Sequence, residues 1–468
     1  MSQQNEIQLT EKEKAIRHFI LNASLYKIIL RLGLPIAFFQ TLNQLFRVGD
    51  TFIASSIDAA SVSMLTYFGQ INLIIVGIGS GLATGAALKI SEMYGWGDFE
   101  KVKTQISSIF AFSVLACLFL TAIIIPFSNP ILVILNAPSE FIEMGTTYFI
   151  IEFIATMLMF INGVYLALEQ VQGNAKRILY VNVASMVLRL VLTAIFVYVF
   201  HRGINMMAVA TLISQGLIFV CGVYNLSGKS EVFTLSFKKF SINKELLSPM
   251  IITSIPIMIE RAAFNLGKTI MNGMIAVMGP LVIGGLGITS MLGGVLVLPA
   301  IGFQDASITV MAQNFGAKQP ERLLSCFKAL FTINMIQAVI FFLPTMIFSY
   351  YITGVFAPDD PYFHSIVHEI HRFDVWGVLF LAPLSAVTAL LLGLGHTKWV
   401  MMLNVFRLFV FRIPVLWFLQ NFTDMGRTSA GFVMIFSNVA TGISSMIIGG
   451  IIIYKLCKKE NLRFFQMG

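Results

Sequence analysis

The chain has 468 residues, of which 57% are hydrophobic and only 12% charged, with a formal net charge of +8. Soluble domains carry about twice that charged fraction, roughly 25%. A water-soluble globular protein is therefore excluded, and a polytopic membrane protein is indicated.

The opening residues, MSQQNEIQLTEKEKAIRHF, are polar and carry both charge signs. No short apolar stretch with a small-residue cleavage site follows, so the first hydrophobic segment is read as a retained span. Runs near the roughly 20 residues needed to cross a bilayer then recur at 26–54, 61–92, 102–127, 141–169, 176–200 and 204–226, and again at 248–278, 281–312, 322–352, 373–394, 397–419 and 429–455. Backbone groups in lipid must pair internally, which makes these segments helices; barrel strands would be shorter and alternate in polarity. The expected fold is all-α, with twelve transmembrane helices.

Between the sixth and seventh spans lies the longest polar connector, GKSEVFTLSFKKFSINKELLS. It divides the chain into an N-terminal six-helix lobe (1–227), a cytoplasmic linker (228–247) and a C-terminal six-helix lobe (248–468). The basic residues fall on one side. With the loops assigned alternately, Lys12, Lys14, Arg17, Lys27 and Arg31 share a face with Lys101, Lys103, Lys176, Lys238, Lys318 and Lys458, whereas Arg202, Arg372 and Arg427 lie opposite. The positive-inside rule places both termini in the cytoplasm. Basicity here records topology, and no nucleic-acid partner is expected.

The two halves repeat. Gln40, Gln44, Arg47 and Thr51 form a polar stripe with helical spacing in the first span, and Arg261, Asn265, Lys268 and Asn272 form its counterpart in the seventh. Each second position lies 221 residues after the first (40 to 261, 44 to 265). The same offset pairs Pro35 with Pro256, Gly81 with Gly302 and Gly95 with Gly316, and an offset of 222 pairs Gly173 with Gly395 and Asn182 with Asn404. Repeats of six spans share one orientation, which predicts pseudo-twofold symmetry about an axis along the membrane normal. Polar groups at membrane depth turn toward a partner, a cavity or water, so the matched stripes are expected to face a central cleft.

Smaller motifs carry less. Gly77, Gly81 and Gly85 recur every fourth residue and read as close helix packing; a dinucleotide fingerprint would need a preceding strand. Pro35, Pro256, Pro299, Pro383 and Pro414 fall inside spans and can bend them. Cys117, Cys221, Cys326 and Cys457 are scattered without disulfide or metal spacing. His364, His368 and His371, in the outer loop before the tenth span, would share one helical face, but no metal site is assigned to them. No P-loop or paired nucleophile and base is present, so an enzyme is not expected.

Taken in order, LGLPIAFFQTLNQLFRVGDTFIASSI, GSGLATGAALKISEMYGWGDFEKVK, PAIGFQDASITVMAQNFGAKQPER, ALLLGLGHTKWVMMLNV and LFVFRIPVLWFL resemble successive segments of the multidrug and toxic compound extrusion (MATE) transporters. The resemblance covers most of the chain. It implies two six-helix lobes around a central cleft, alternating access, and export driven by a proton or sodium gradient with no cofactor. It makes Asp50, the first-helix carboxylate, a cation-coupling residue, with Glu260 on the seventh helix its nearest C-terminal counterpart. Two departures stand out. Arg189 and Thr193 occupy positions where some members carry an Asn and an Asp on the fifth helix. Asp374 is expected near the start of the tenth helix, whereas some members use an acid within it.

Among the buried charges, Glu152 is a further candidate acid, while Glu169 and Asp305 are expected near solvated ends. The spans hold more cations than acids (Arg47, Arg189, Arg261, Lys268, Arg407 and Arg412). Gln40, Gln44, Arg47, Arg189, Arg261, Asn265, Lys268 and Asn272 are therefore expected to bind substrate, and Arg47 and Lys268 would attract carboxylate or phosphate groups. The expected activity is cation-coupled export of small amphipathic compounds, anionic or zwitterionic, by a monomer in the cytoplasmic (inner) membrane. The alternative is a flippase for a lipid-linked or anionic amphipathic precursor.

Overall fold

The computed structural model describes residues 9–55, 59–134, 139–201, 203–228, 230–236, 244–357, 360–462 and 464. Among these, every regular element is helical. The first half comprises α1 (Glu11–Asn22), α2 (Leu25–Ser55), α3 (Ala59–Trp96), α4 (Phe99–Ile124), α5 (Ser128–Ile134), α6 (Ser139–Val171), α7 (Ala175–Ala194) and α8 (Ile204–Leu226). The second comprises α9 (Lys244–Ala276), α10 (Pro280–Gly316), α11 (Pro320–Ile347), α12 (Ser349–Gly354), α13 (Pro361–Gly393), α14 (Thr397–Phe409), α15 (Ile413–Phe422) and α16 (Thr428–Glu460). Twelve helical stretches among the described residues are long and apolar enough to cross a membrane; α14 and α15 together make one of them. The side chains of Arg47, Asp50 and Thr51 lie outside the described residues.

The tenth span departs from its expected boundary. It starts at Pro361 rather than near 373, because Asp360 caps it, accepting from the backbone N–H groups of Tyr362 (3.0 Å) and Phe363 (2.9 Å). The histidine run is thus helix and not loop. His364 Nε2 lies 3.1 Å from Thr353 Oγ1 and 3.0 Å from the Tyr350 carbonyl, while His368 Nδ1 lies 3.3 Å from Ser349 Oγ. Polar residues sit within this helix because α12 supplies their partners. The start of the polar connector also behaves otherwise than its composition implies: Val232 and Phe233 are fully buried, and Phe233 packs edge-on against Tyr94.

The chain forms two compact units, Met1–His18 with Leu45–Met258, and Phe19–Gln44 with Ile259–Gly468. The first part of α2 therefore belongs with the second half of the sequence, and the first part of α9 with the first half. One crossing explains both assignments. In the first unit, a Cβ on Gly81 would lie 2.7 Å from the Met258 Cα, and Ser254 Oγ donates to the Leu82 carbonyl at 3.1 Å. In the second, a Cβ on Gly302 would lie 2.4 Å from the Ala37 Cα, and Gly33 abuts Phe303. These pairs are the same contact at the 221-residue offset (81 to 302, 37 to 258). Backbone meets backbone in each, which only a residue without a side chain permits.

Helix ends repeat as well. Gly97 (φ 96°) ends α3 and Lys318 (φ 56°) ends α10, while Gly173 (φ 74°) and Gly395 (φ 76°) end α6 and α13. At each end the next amide donates back to a carbonyl five residues earlier, as Asp98 does to Met93 and Gln319 to Asn314. This is the left-handed helix stop that satisfies the last carbonyls. Lys318 does without the glycine its counterpart has.

The core of the first unit gathers Phe68, Tyr148, Phe149 and Phe153, with ring centroids 5.5–6.1 Å apart. In the second, Leu296, Ala338, Val375 and Val378 form one cluster, and Ile366, Ile370, Leu416 and Val433 another. Leucine at Gly81 or Gly302 should destabilise the protein by at least about 1–3 kcal/mol, the usual range for overpacking. Leucine at Gly273, whose Cβ would meet nothing within 4 Å, should stay within about 0.5 kcal/mol of wild type. Thermal unfolding in detergent compares the three.

Candidate substrate and cation site

The second unit contains a connected group of charged side chains from α9, α10, α13, α14 and the turn after it, joined by uncharged polar side chains from α2 and α16. It is built around a break in the eleventh span. Pro414 has no amide hydrogen and cannot continue the helix that precedes it, so α14 stops at Phe409 and α15 restarts at Ile413. The turn between them carries Arg412, which is 1% exposed. Its Nε donates to Ser437 Oγ at 2.9 Å and its Nη2 to Asn438 Oδ1 at 3.1 Å. Arg407, one turn earlier, donates to the same Asn438 oxygen through Nε (3.2 Å) and Nη2 (2.6 Å). Gly377 makes room for that amide, since a Cβ there would come within 2.2 Å of Asn438 Nδ2.

Two guanidinium groups on one neutral oxygen repel each other, and the acids around them compensate. Asp374 faces Arg412, Arg407 and Lys268. Glu260 faces Arg261 and Arg407 and is hydrogen-bonded to the side chain of Asn404. Asp305 faces Arg261 and is hydrogen-bonded to Gln40. Arg407 thus faces two carboxylates and Arg261 two, so three acids and four cations are intermixed in the group. Phe264 lies between two of the cations, with Lys268 Nζ 5.2 Å and the Arg407 guanidinium 5.6 Å from its ring, a cation–π arrangement. Gly293 leaves the space that Asp374 fills, and Gly294 abuts the Gln44 amide.

Of the residues expected to bind substrate, the structure brings Gln40, Gln44, Arg261 and Lys268 to this group, along with the coupling candidate Glu260. Asn265 lies half-buried and Asn272 exposed, both on α9. Arg189 is a half-buried residue of α7 in the other unit. There Asn72 Nδ2 donates to Glu152 at 3.2 Å, and Asn162 donates to the Gln215 carbonyl and side chain at 2.9 and 3.0 Å.

Three expectations are corrected. Asp305 is not at a solvated end but half-buried beside Arg261 and Gln40. Glu169 is fully buried, where Arg177 donates to it at 2.9 Å and Asn174 at 2.9 Å. Asp374 lies well inside α13, more than three turns from Pro361. Asn438 and Ser437 were missed altogether, because uncharged residues in an apolar run give no signal of their own; the nearby arginines of the eleventh span were the clue to their need for a partner. Among the described residues, no group of three or more His, Cys, Asp or Glu is placed to hold a metal ion. His371 is fully buried in α13 with neither ring nitrogen hydrogen-bonded among the described residues.

A bundle of apolar helices with a gathered, charge-dense interior group defines a polytopic membrane transporter. The MatE family model matches the chain twice, at residues 35–195 and 256–418, and the chain belongs to that family of transporters. It is 22% identical over 434 residues to "Probable multidrug resistance protein YoeA" of Bacillus subtilis (strain 168), covering 91% of this chain and 92% of that one. Its fold matches an outward-facing multidrug resistance MATE family transporter of the MOP superfamily with a TM-score of 0.89 at 18% identity, over 96% of this chain and 100% of that one. It also matches, with a TM-score of 0.88 at 18% identity over 96% and 99% of the chains, a MOP superfamily transporter from Pyrococcus furiosus Vc1 described as having a binding pocket of reverse polarity.

Asn438→Leu should destabilise the protein by about 1–3 kcal/mol, the penalty for leaving buried donors unpaired. Asn438→Asp, which retains the acceptor, should lose less. Thermal unfolding in detergent reads both.

Proposed function

We propose that this chain is a cation-coupled secondary exporter whose substrates are small zwitterionic amphipathic compounds. The observation that carries the reading is the gathering of three carboxylates and four cations in one group, with Arg407 facing both Glu260 and Asp374. A proton or sodium ion arriving at either acid competes with Arg407 for it. Antiport requires that substrate and coupling ion exclude each other. A purely anionic substrate would be helped, not hindered, by neutralising an acid, so it fits antiport poorly. A zwitterion fits. Its cationic end needs Glu260 or Asp374 and is displaced by the coupling ion, while its anionic end takes the planar donors of Arg407 or Arg261. Asp50, in the first span, is proposed as a second coupling carboxylate. The transporter acts as a monomer in the cytoplasmic membrane with both termini in the cytoplasm.

Reconstituted into proteoliposomes, Glu260→Gln and Asp374→Asn should each lower gradient-driven transport at least about tenfold, the loss expected when a charge-assisted contact is removed. Arg407→Gln should weaken binding of a zwitterionic compound while sparing a cationic dye of similar size. Imposing proton and sodium gradients separately identifies the coupling ion. Full transport by the Glu260→Gln/Asp374→Asn double variant under both gradients would overturn the proposal.

A further inference from the structure

On the second unit, away from the charged group, a cavity of about 810 Å³ lies where α2 begins, α11 begins and α16 nears its end. Arg322, Ser325 and Lys328 of α11 line it together with apolar residues that include Phe331, Met446 and Ile453. Its volume falls within the range of small-ligand sites, roughly 300–1,000 Å³. From Arg322 to Thr332 the wall follows ten residues of α11, or about 15 Å at the helical rise. The two cations therefore stand on the first six residues of that wall, with Phe331 and Thr332 deeper in the span, and no carboxylate is among the described residues that line it. An anionic head and an apolar tail would match that lining.

The cations are held in place. Arg322 Nη2 donates to the carbonyls of Ile20 (3.2 Å) and Ala23, which fixes its side chain at the end of α1. Its Nε is buried and has no acceptor among the described residues. Lys328 Nζ lies 4.6 Å from the ring centroid of Phe464 and donates to the Phe464 carbonyl, so a stronger acceptor could take that hydrogen bond over. A phosphodiester is such an acceptor, and it would offer an oxygen to Arg322 Nε as well. Gly449 and Gly450 thin the α16 wall; a Cβ on Gly450 would meet nothing within 4 Å.

We infer that this cavity binds an anionic glycerophospholipid from the leaflet on the basic-loop side. Its phosphate lies between Arg322 and Lys328, and an acyl chain runs along α11 and α16 past Gly450. The site lies apart from the charged group of the transport reading and does not depend on it.

The full chain, delipidated in detergent, is titrated with dioleoylphosphatidylglycerol, dioleoylphosphatidylcholine or inorganic phosphate, and bound lipid is counted by native mass spectrometry. Retention of the glycerol lipid should exceed that of the choline lipid at least about fivefold, a difference of the size a single charge-assisted contact provides. Lys328→Gln should remove that preference. Gly450→Leu fills the apolar end without touching a cation, and leucine favours helix over glycine; it should lower retention of both lipids while leaving the unfolding midpoint of the delipidated protein unchanged. Equal retention of the two lipids, or unchanged retention in Gly450→Leu, overturns the inference. Protection from unfolding by inorganic phosphate equal to that by the glycerol lipid also overturns it, in favour of a small-anion site.

Discussion

The structure depends on one constraint: helices in a bilayer gain nothing from hiding apolar surface from lipid, so they must approach closely enough for dispersion to hold them. The crossings at Gly81 and Gly302 meet that demand. Each lets a neighbouring backbone come where a side chain would stand, and each ties a half-helix into a unit dominated by the other half of the sequence. The consequence reaches the charged group directly. Gln40 is one turn beyond Ala37 and Asp305 one turn beyond Gly302, so the same close approach puts the Gln40 amide on the Asp305 carboxylate. A wider crossing would separate that acid from the Gln40 amide.

Charge imposes the second condition. An isolated guanidinium or carboxylate at membrane depth is costly, and a buried pair is tolerable only when its remaining donors and acceptors are also satisfied. In the second unit the solution is a chain of shared partners. Asn438 accepts from Arg407 and Arg412, Arg407 faces Glu260 and Asp374, and Arg261 faces Glu260 and Asp305. Arg407 and Arg261 each face two acids, while Arg412 faces Asp374 alone. A group wired in this way can lose one carboxylate to a proton or a metal cation and redistribute its contacts, which is what exchange of an ion for a substrate requires. The glycines at 293 and 377 are part of the same construction, since they provide the volume that Asp374 and Asn438 occupy.

The two charged regions of the second unit differ in make-up. The interior group mixes both signs, as the proposed zwitterionic substrate requires. The cavity beside α11 and α16 is lined, among the described residues, by cations without acids and by apolar side chains, which suits an amphipathic anion. Helix ends govern both. The break before Pro414 delivers Arg412, and the stop at Lys318 followed by Pro320 starts α11 where Arg322 and Lys328 face the cavity.

Much was legible in the sequence because its signals are local and periodic. Twelve apolar runs gave the helices, and the 221-residue offset gave the duplication down to Gly81 and Gly302. Position along the chain misled at particular points for physical reasons. Asp305 and Glu169 looked solvated because they sit late in their spans, yet a donor three-dimensionally adjacent but distant in sequence, or one beyond a turn, buries each of them. The histidines of α13 looked like loop because their partners, Ser349, Thr353 and Tyr350, belong to a different short helix. Lys318 gave no hint of its left-handed backbone, since its counterpart uses glycine. What the sequence determined by itself was the number of spans and the repeat; the excess of cations it suggested disappears once Glu169, Asp305 and Asp374 are placed within the spans. Only the tertiary structure decided which acid meets which cation, and that one asparagine oxygen serves two arginines, because those choices depend on contacts between helices that no spacing along a single helix encodes.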